Sequence, residues 1–82
     1  MIDNKTAQRN IATNVRRLLE DRGMSQSDLA RLTQDPMMTI SSICLEKHMP
    51  GAGLLARIAE AFDVSVDRIV GPPPEITLQK TP

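Results

Sequence analysis

The sequence predicts an all-α domain of five short helices. Apolar residues recur at intervals of three and four along most of the chain, cap signals precede several of these stretches, and no convincing core strand is present. The chain has 82 residues, of which 40% are hydrophobic and 24% are charged. This is the composition of one small globular domain, which buries only about 60% of its unfolded surface.

The first helix is predicted over about residues 6–22. Four residues form one apolar stripe along it: Ile11, Val15, Leu18 and Leu19. Asn4 or Thr6 is the expected cap, and Gly23 ends the helix.

The second helix begins with a capping-box pattern at residues 25–28, in which Asp28 replaces the usual Glu and pairs with Ser25. Met24 and Leu29 have the spacing of a hydrophobic staple around this start. The helix is expected to run to about Thr33. Its predicted inward residues are Leu29, Ala30 and Leu32.

The third helix is predicted over about residues 36–46. Asp35 is a strong N-cap residue and Pro36 favours the first helical position. Ile40 and Ile43 face inward in this interpretation. The other face carries Met37, Met38, Ser41, Ser42 and Leu45.

Two further helices follow the break at residues 50–53. The apolar spacing of the fourth places four residues inward: Leu55, Ile58, Ala59 and Phe62. Ser65 is expected to cap a short fifth helix at about 66–70. Residues 72–82 form a Pro-rich C-terminal arm beyond the domain of residues 1–71, and the alternation in residues 75–79 is compatible with an extended arm.

The second and third helices are joined by a tight turn, and the small Ala30 allows them to cross closely. This is the arrangement of a helix-turn-helix, whose second helix can project its polar face into a DNA major groove. The sequence of residues 23–30 resembles the start of helix 2 in lambda-repressor-like (Cro/XRE-type) DNA-binding domains. Residues 39–41, Pro50 and residues 55–65 resemble later blocks of the same family in register, so the resemblance covers about residues 11–71.

The chain departs from the pattern of that family at three places. Gln34 stands where the family usually has a turn glycine, and Asp35–Pro36 suggests another turn geometry. Cys44 and Glu46 replace a Glu and a Gly after the recognition helix, so this helix is expected to run longer. The recognition face offers Met, Thr and Ser where many relatives have Arg, Lys, Gln or Asn.

The resemblance implies that Gln26, Thr39 and Lys47 hold phosphates, although Gln26 is alternatively a solvated helix-start residue and Thr39 a local cap. Ser41 and Ser42 are candidates for base edges because hydroxyl groups both donate and accept, or they are an exposed polar face. Three interpretations remain for Met37 and Met38. They contact thymine methyl groups, they contact a protein partner, or at least one belongs to the core.

Other functions find little support in the sequence. One cysteine and one histidine, Cys44 and His48, offer neither a metal site nor a catalytic arrangement, and Cys44 is expected to be a small buried hydrophobe. No enzyme activity and no cofactor are predicted. Without a signal-peptide pattern or membrane span, the expected compartment is a reducing cytoplasm.

The predicted function is therefore sequence-specific DNA binding by a transcriptional regulator. The expected regulator is a repressor that acts as a homodimer on double-stranded DNA. The expected dimer surface is helix 5 with the arm at residues 72–80. The alternative is a protein-interaction module on the same fold, such as an antitoxin-like or anti-regulator subunit. It is motivated by the formal net charge of zero and by the Met/Ser recognition face.

Overall fold

The structure, a computed structural model, describes residues 3–74. Within this range the protein consists of five α-helices and contains no strand, which confirms the predicted all-α fold. The helices are α1 (Asn4–Arg22), α2 (Gln26–Thr33), α3 (Met37–Cys44), α4 (Ala52–Phe62) and α5 (Val66–Val70). The arm at residues 75–82 lies outside the described residues.

The first helix forms one wall of the core, and its cap differs from the prediction. The predicted stripe of Ile11, Val15, Leu18 and Leu19 is buried as expected. The N-cap is Asp3, whose carboxylate accepts a hydrogen bond from the backbone N–H of Thr6 at 2.8 Å. The helix therefore starts about two residues earlier than predicted. It ends, as predicted, at Gly23, which has φ 63°.

The capping box of α2 is confirmed in both directions. The Ser25 hydroxyl accepts from the Asp28 N–H at 3.0 Å, and the Asp28 carboxylate accepts from the Ser25 N–H at 2.9 Å. Leu29 and Ala30 are buried, but the prediction for Leu32 is wrong, since this side chain is 60% exposed. Residues 29, 30 and 33 share the inward face of the helix, and Leu32 instead borders a shallow groove of about 320 Å³ between α2 and α4.

The turn between α2 and α3 corrects two predictions. Gln34 adopts φ 62°, the left-handed conformation that glycine supplies in relatives, and the Asp35 N–H donates to the Ala30 carbonyl at 3.1 Å. Asp35 thus closes α2, and Pro36 is the N-cap of α3 without a side-chain hydrogen bond. The Asp35 carboxylate instead pairs with Arg57 of α4 at 3.0 Å.

The end of α3 corrects a third prediction, because the helix does not reach the predicted residue 46. It ends at Cys44, and Glu46 has φ 61°, so the chain turns at the position where the family usually has glycine. Cys44 itself is 1% exposed and belongs to the core, as predicted.

The later helices complete the core. In α4, Ile58, Ala59 and Phe62 are buried as predicted, whereas Leu54 takes the buried place expected for Leu55, which is partly buried. The Ser65 hydroxyl caps α5 by accepting from the Arg68 N–H at 3.2 Å, as predicted. Helix α1 packs against α5 and α3, α2 packs against α3 and α4, and α4 packs against α5.

Two asparagines of α1 hold the end of α5. Asn14, fully buried, donates to the backbone carbonyls of Ile69 at 2.8 Å and Gly71 at 2.9 Å, while Asn10 donates to Val70 at 3.1 Å. These side chains satisfy carbonyl groups that the end of a helix leaves without an intrahelical donor. A five-residue helix is too short to be stable by itself, so α5 depends on this attachment to α1. Among residues 3–74, no helix combines the length and the apolar character needed to cross a bilayer.

Candidate nucleic-acid interface

The side of α3 that points away from the core is a continuous solvent-facing surface. Successive helical residues are turned by about 100°, so Ile40, Ile43 and Cys44 share the buried side and Met38 lies nearly opposite them. Ser41 and Ser42, three and four positions after Met38, lie beside it, and the exposed Met37 precedes it at the first position of the helix; these four residues form what we call the α3 outward face.

The two methionines of this face are exposed. Met37 retains 54% and Met38 retains 78% of its accessible surface, so neither belongs to the core and that interpretation is wrong. Ser41 and Ser42 are half-buried, and Thr39 is half-buried on the flank of the helix. The α3 outward face therefore presents thioether chains at its centre and hydroxyl groups at its edges.

The start of α3 adds backbone donors to this face. The first N–H groups of a helix have no intrahelical acceptor, and the Pro36 cap has no side-chain hydrogen bond. Helix α3 has no acidic residue in its first turn. Together with the helix dipole, these groups favour a ligand with acceptor atoms.

Gln26 lies on a different helix from the other candidates. It is the first residue of α2, is half-buried, and follows the Ser25 cap directly. The neighbouring Asp28 carboxylate has its pKa lowered, first by the hydrogen bond from the Ser25 backbone N–H. Arg31 pairs with the same carboxylate at 2.6 Å and offsets its negative charge.

Lys47 lies just beyond the other end of α3. Its side chain is exposed, and its backbone N–H donates to the Ser42 carbonyl at 2.8 Å. This bond ties the position of Lys47 to the last turn of α3. The seven predicted residues thus fall into three places: the start of α2, the exposed side of α3, and the turn that follows α3.

Helix α1 supports the C-terminal end of α3 through contacts that the sequence did not reveal. The Arg16 guanidinium donates to the Cys44 carbonyl at 2.6 Å, and the Gln8 amide donates to the Glu46 carbonyl at 2.6 Å. These pairs are 28 and 38 residues apart, so no local pattern indicates them. They fix the end of α3 and the turn that carries Lys47.

The arginines of the described chain are mostly bound to other parts of the protein. Arg57 pairs with Asp35, Arg31 pairs with Asp28, and Arg22 donates to the Phe62 carbonyl at 2.6 Å. Two further arginines also donate to acceptors of the chain: Arg17 to the Pro74 carbonyl and Arg68 to Asn14. No arginine lies on the α3 outward face, so the side chains of that surface carry no positive charge.

Residues 3–74 show neither a metal-binding cluster nor an activated thiol. This part of the chain contains no group of three or more His, Cys, Asp and Glu side chains able to hold a metal ion. The pKa of the Cys44 thiol is raised by burial, although the nearby Arg16 acts in the opposite direction. A buried thiol with a raised pKa is a poor nucleophile, since the thiolate is the reactive form.

These features define a small helical domain in which a tight turn joins α2 to α3 and one side of α3 faces the solvent. The chain matches the family model described as Helix-turn-helix over residues 15–69 and belongs to that family, of the Cro/C1 type. Membership of this family implies DNA binding.

A solved structure is similar to this one. It is the crystal structure of a transcriptional regulator from Listeria innocua, which is 27% identical in sequence and superposes with a TM-score of 0.69. The match covers 80% of this chain and 62% of the Listeria chain, so this protein spans less than two thirds of its length. None of the curated proteins compared with the chain matches it.

Proposed function

We propose that the protein is a sequence-specific DNA-binding transcriptional regulator, a repressor that acts as a homodimer. The observation that carries this proposal is the α3 outward face, an uncharged and solvent-exposed helix surface in the second position of a helix-turn-helix. In this family α3 enters the major groove, which is wide enough to admit a helix.

The seven predicted residues have two roles in the proposed binding, contact with phosphates and contact with bases. Gln26 at the start of α2, Thr39 on the flank of α3 and Lys47 after α3 contact phosphates and set the orientation of the domain. Met37, Met38, Ser41 and Ser42 face the edges of the bases. Phosphate contacts supply affinity for any sequence, whereas contacts to base edges supply the preference.

The proposed dimer places two copies of α3 on a roughly palindromic site. One copy offers few contacts, so two linked copies are needed for tight binding. The proposed surface is α5, where Val66 is 40% exposed, with the arm at residues 72–80. Sedimentation of the wild type and of Val66→Asp tests this surface. A wild type that sediments as a dimer and a variant that sediments as a folded monomer support it, and a monomeric wild type contradicts it.

Binding itself is tested by fluorescence anisotropy against random-sequence duplex DNA at about 50 and 200 mM salt. We expect binding at the lower salt concentration and weaker binding at the higher one, because phosphate contacts release counterions. Gln26→Ala should weaken binding to all sequences, with Ser27→Ala as the matched control at the next, exposed position. Ser42→Ala should instead change which sequence is selected from a random pool.

A second candidate function is a protein-interaction module. It is favoured by the exposed apolar side chains of Met38 and Leu45, at 78% and 60%, and by the formal net charge of zero. Absence of binding to any duplex at 50 mM salt would favour this function over the first. A pull-down with the wild type and Met38→Glu would then test whether the partner uses the α3 outward face.

A further inference from the structure

We infer that the α3 outward face recognises the C5-methyl groups of thymines, so that the DNA it prefers is defined by methyl groups more than by hydrogen bonds. This inference rests on the proposed DNA-binding function and specifies its ligand. It comes from the chemistry of the four side chains that the face presents.

The α3 outward face lacks the groups that read guanine, adenine or cytosine best. Arg or Lys pairs with guanine, Asn or Gln pairs with adenine, and Asp or Glu accepts from cytosine. None of these six residue types occurs between Met37 and Leu45. The hydroxyl groups of Ser41 and Ser42 both donate and accept, so they discriminate weakly between bases.

Three arginines of neighbouring helices are engaged by acceptors within the protein. Arg57 is engaged with Asp35, Arg31 with Asp28, and Arg16 with the Cys44 carbonyl. Lys47 is nine positions after Met38, beyond the end of a helix that is only about 12 Å long. It is therefore suited to a phosphate at the edge of the groove and not to a base under Met38.

The methionines match the one apolar feature of the major groove. Only thymine presents a methyl group there, and apolar side chains contact it. Met37 and Met38 are exposed to 54% and 78% in the free protein, and an unbranched thioether chain adapts to irregular surfaces. Burying one methyl group is worth about 0.8 kcal/mol, which corresponds to about four-fold in affinity.

The test replaces thymine by deoxyuridine, which keeps the hydrogen-bonding edge and removes only the methyl group. The preferred duplex is first selected from a random pool, and each thymine is then replaced singly. We expect about four-fold weaker binding for each contacted methyl group. Replacing a contacted thymine·adenine pair by 5-methylcytosine·guanine should retain more affinity than replacing it by cytosine·guanine.

A double-mutant cycle, which combines Met38→Ala with the change from thymine to uracil, tests whether Met38 contacts the methyl group. Met38→Ala should bind thymine and uracil duplexes equally at the contacted position, whereas Met49→Ala, a methionine outside α3, should keep the wild-type ratio. Circular dichroism should show that both variants are folded, since Met38 is largely exposed. A thymine-to-uracil ratio near one for the wild type overturns this inference alone, as does a ratio that Met38→Ala leaves unchanged. Absence of binding to every duplex overturns the proposed function as well.

Discussion

Among residues 3–74, three residues other than glycine adopt a left-handed backbone conformation: Gln34, Glu46 and Asp63. Gln34 and Glu46 have φ values of 62° and 61°, and they occupy the positions where relatives usually carry glycine. The sequence predicted different turns because both glycines are missing. The structure instead shows a left-handed residue in each of these turns without a glycine. A left-handed residue other than glycine costs about 1–2 kcal/mol, which core packing can offset.

Gln34→Gly should therefore stabilise the protein by about 1 kcal/mol, because glycine enters this conformation without a steric penalty. The larger conformational freedom of glycine in the unfolded chain reduces the gain. Urea denaturation measures the change. Gln34→Ala keeps the Cβ atom and should show no comparable gain. A glycine variant that is no more stable than the alanine variant would show that the backbone of Gln34 is not strained.

Asp28 makes the stability of the protein sensitive to acid. Its pKa lies below the usual 3.8, chiefly because of the hydrogen bond from the Ser25 N–H. A carboxylate with a lowered pKa stabilises the fold fully above its unfolded pKa and loses this contribution as the pH falls through the folded pKa. The contribution of Asp28 therefore begins to be lost below about pH 4 and falls away progressively as the carboxylate becomes protonated. Asp3, the cap of α1, has its pKa lowered in the same direction by Thr6.

We expect the thermal midpoint of the wild type to fall between about pH 4 and pH 2. Asp28→Asn should show a smaller fall, because its amide does not titrate. Asp21→Asn removes one negative charge without removing a cap, so it controls for net charge. Equal acid sensitivity of Asp28→Asn and the Asp21 control would show that the capping box does not cause the effect.

At the scale of helices, the buried amide of Asn14 donates two of the three hydrogen bonds by which asparagines of α1 hold the end of α5. Asn14→Ala would leave the carbonyls of Ile69 and Gly71 without their donor and would open a small cavity. We expect a loss of about 2–4 kcal/mol in the free energy of unfolding. Thr13→Ala, at the half-buried neighbouring position, should cost much less. Urea denaturation compares the two, and similar losses would mean that the amide is not the important contact.

Local signals predicted the helices better than they predicted the contacts between them. The capping box of Ser25, the cap of Ser65 and the stop at Gly23 depend on neighbouring residues, and all three are present. The cap of α3 was wrongly assigned to Asp35 because its carboxylate is drawn to Arg57, which is 22 positions away. Periodicity also placed Met37, Met38, Ser41 and Ser42 on one exposed face, while their contacts with DNA stay predictions.

Over the whole molecule, charge is balanced and most arginine side chains are held by acceptors within the described residues. Ten Lys and Arg residues oppose ten Asp and Glu residues, and six of the arginines donate hydrogen bonds within residues 3–74. The salt dependence of DNA binding should therefore rest on a few cations. Lys47, exposed after α3, is the one that the family resemblance assigns to a phosphate.

Lys47→Ala should weaken binding to all sequences alike and lower the slope of log affinity against log salt by about one per protomer. Arg17→Ala removes an equal charge beside Pro74, away from α3, and should leave the slope unchanged. Anisotropy titrations at four or five salt concentrations measure both slopes. A Lys47 variant that retains the wild-type slope would place the phosphate contact elsewhere.

The attachment of α1 to α5 also determines when the domain can fold during its synthesis. The hydrogen bond from Asn14 to the Gly71 carbonyl can form only after Gly71 has been added, which is 57 positions later in the chain. At about 5–20 residues per second, a ribosome needs about 3–11 s to add that stretch. Helix α3 is complete about 30 positions after Asn14, whereas α5 is complete only at the end of this interval. The contacts that tie α1 to the end of α5 therefore form only after residues 69–71 have been added.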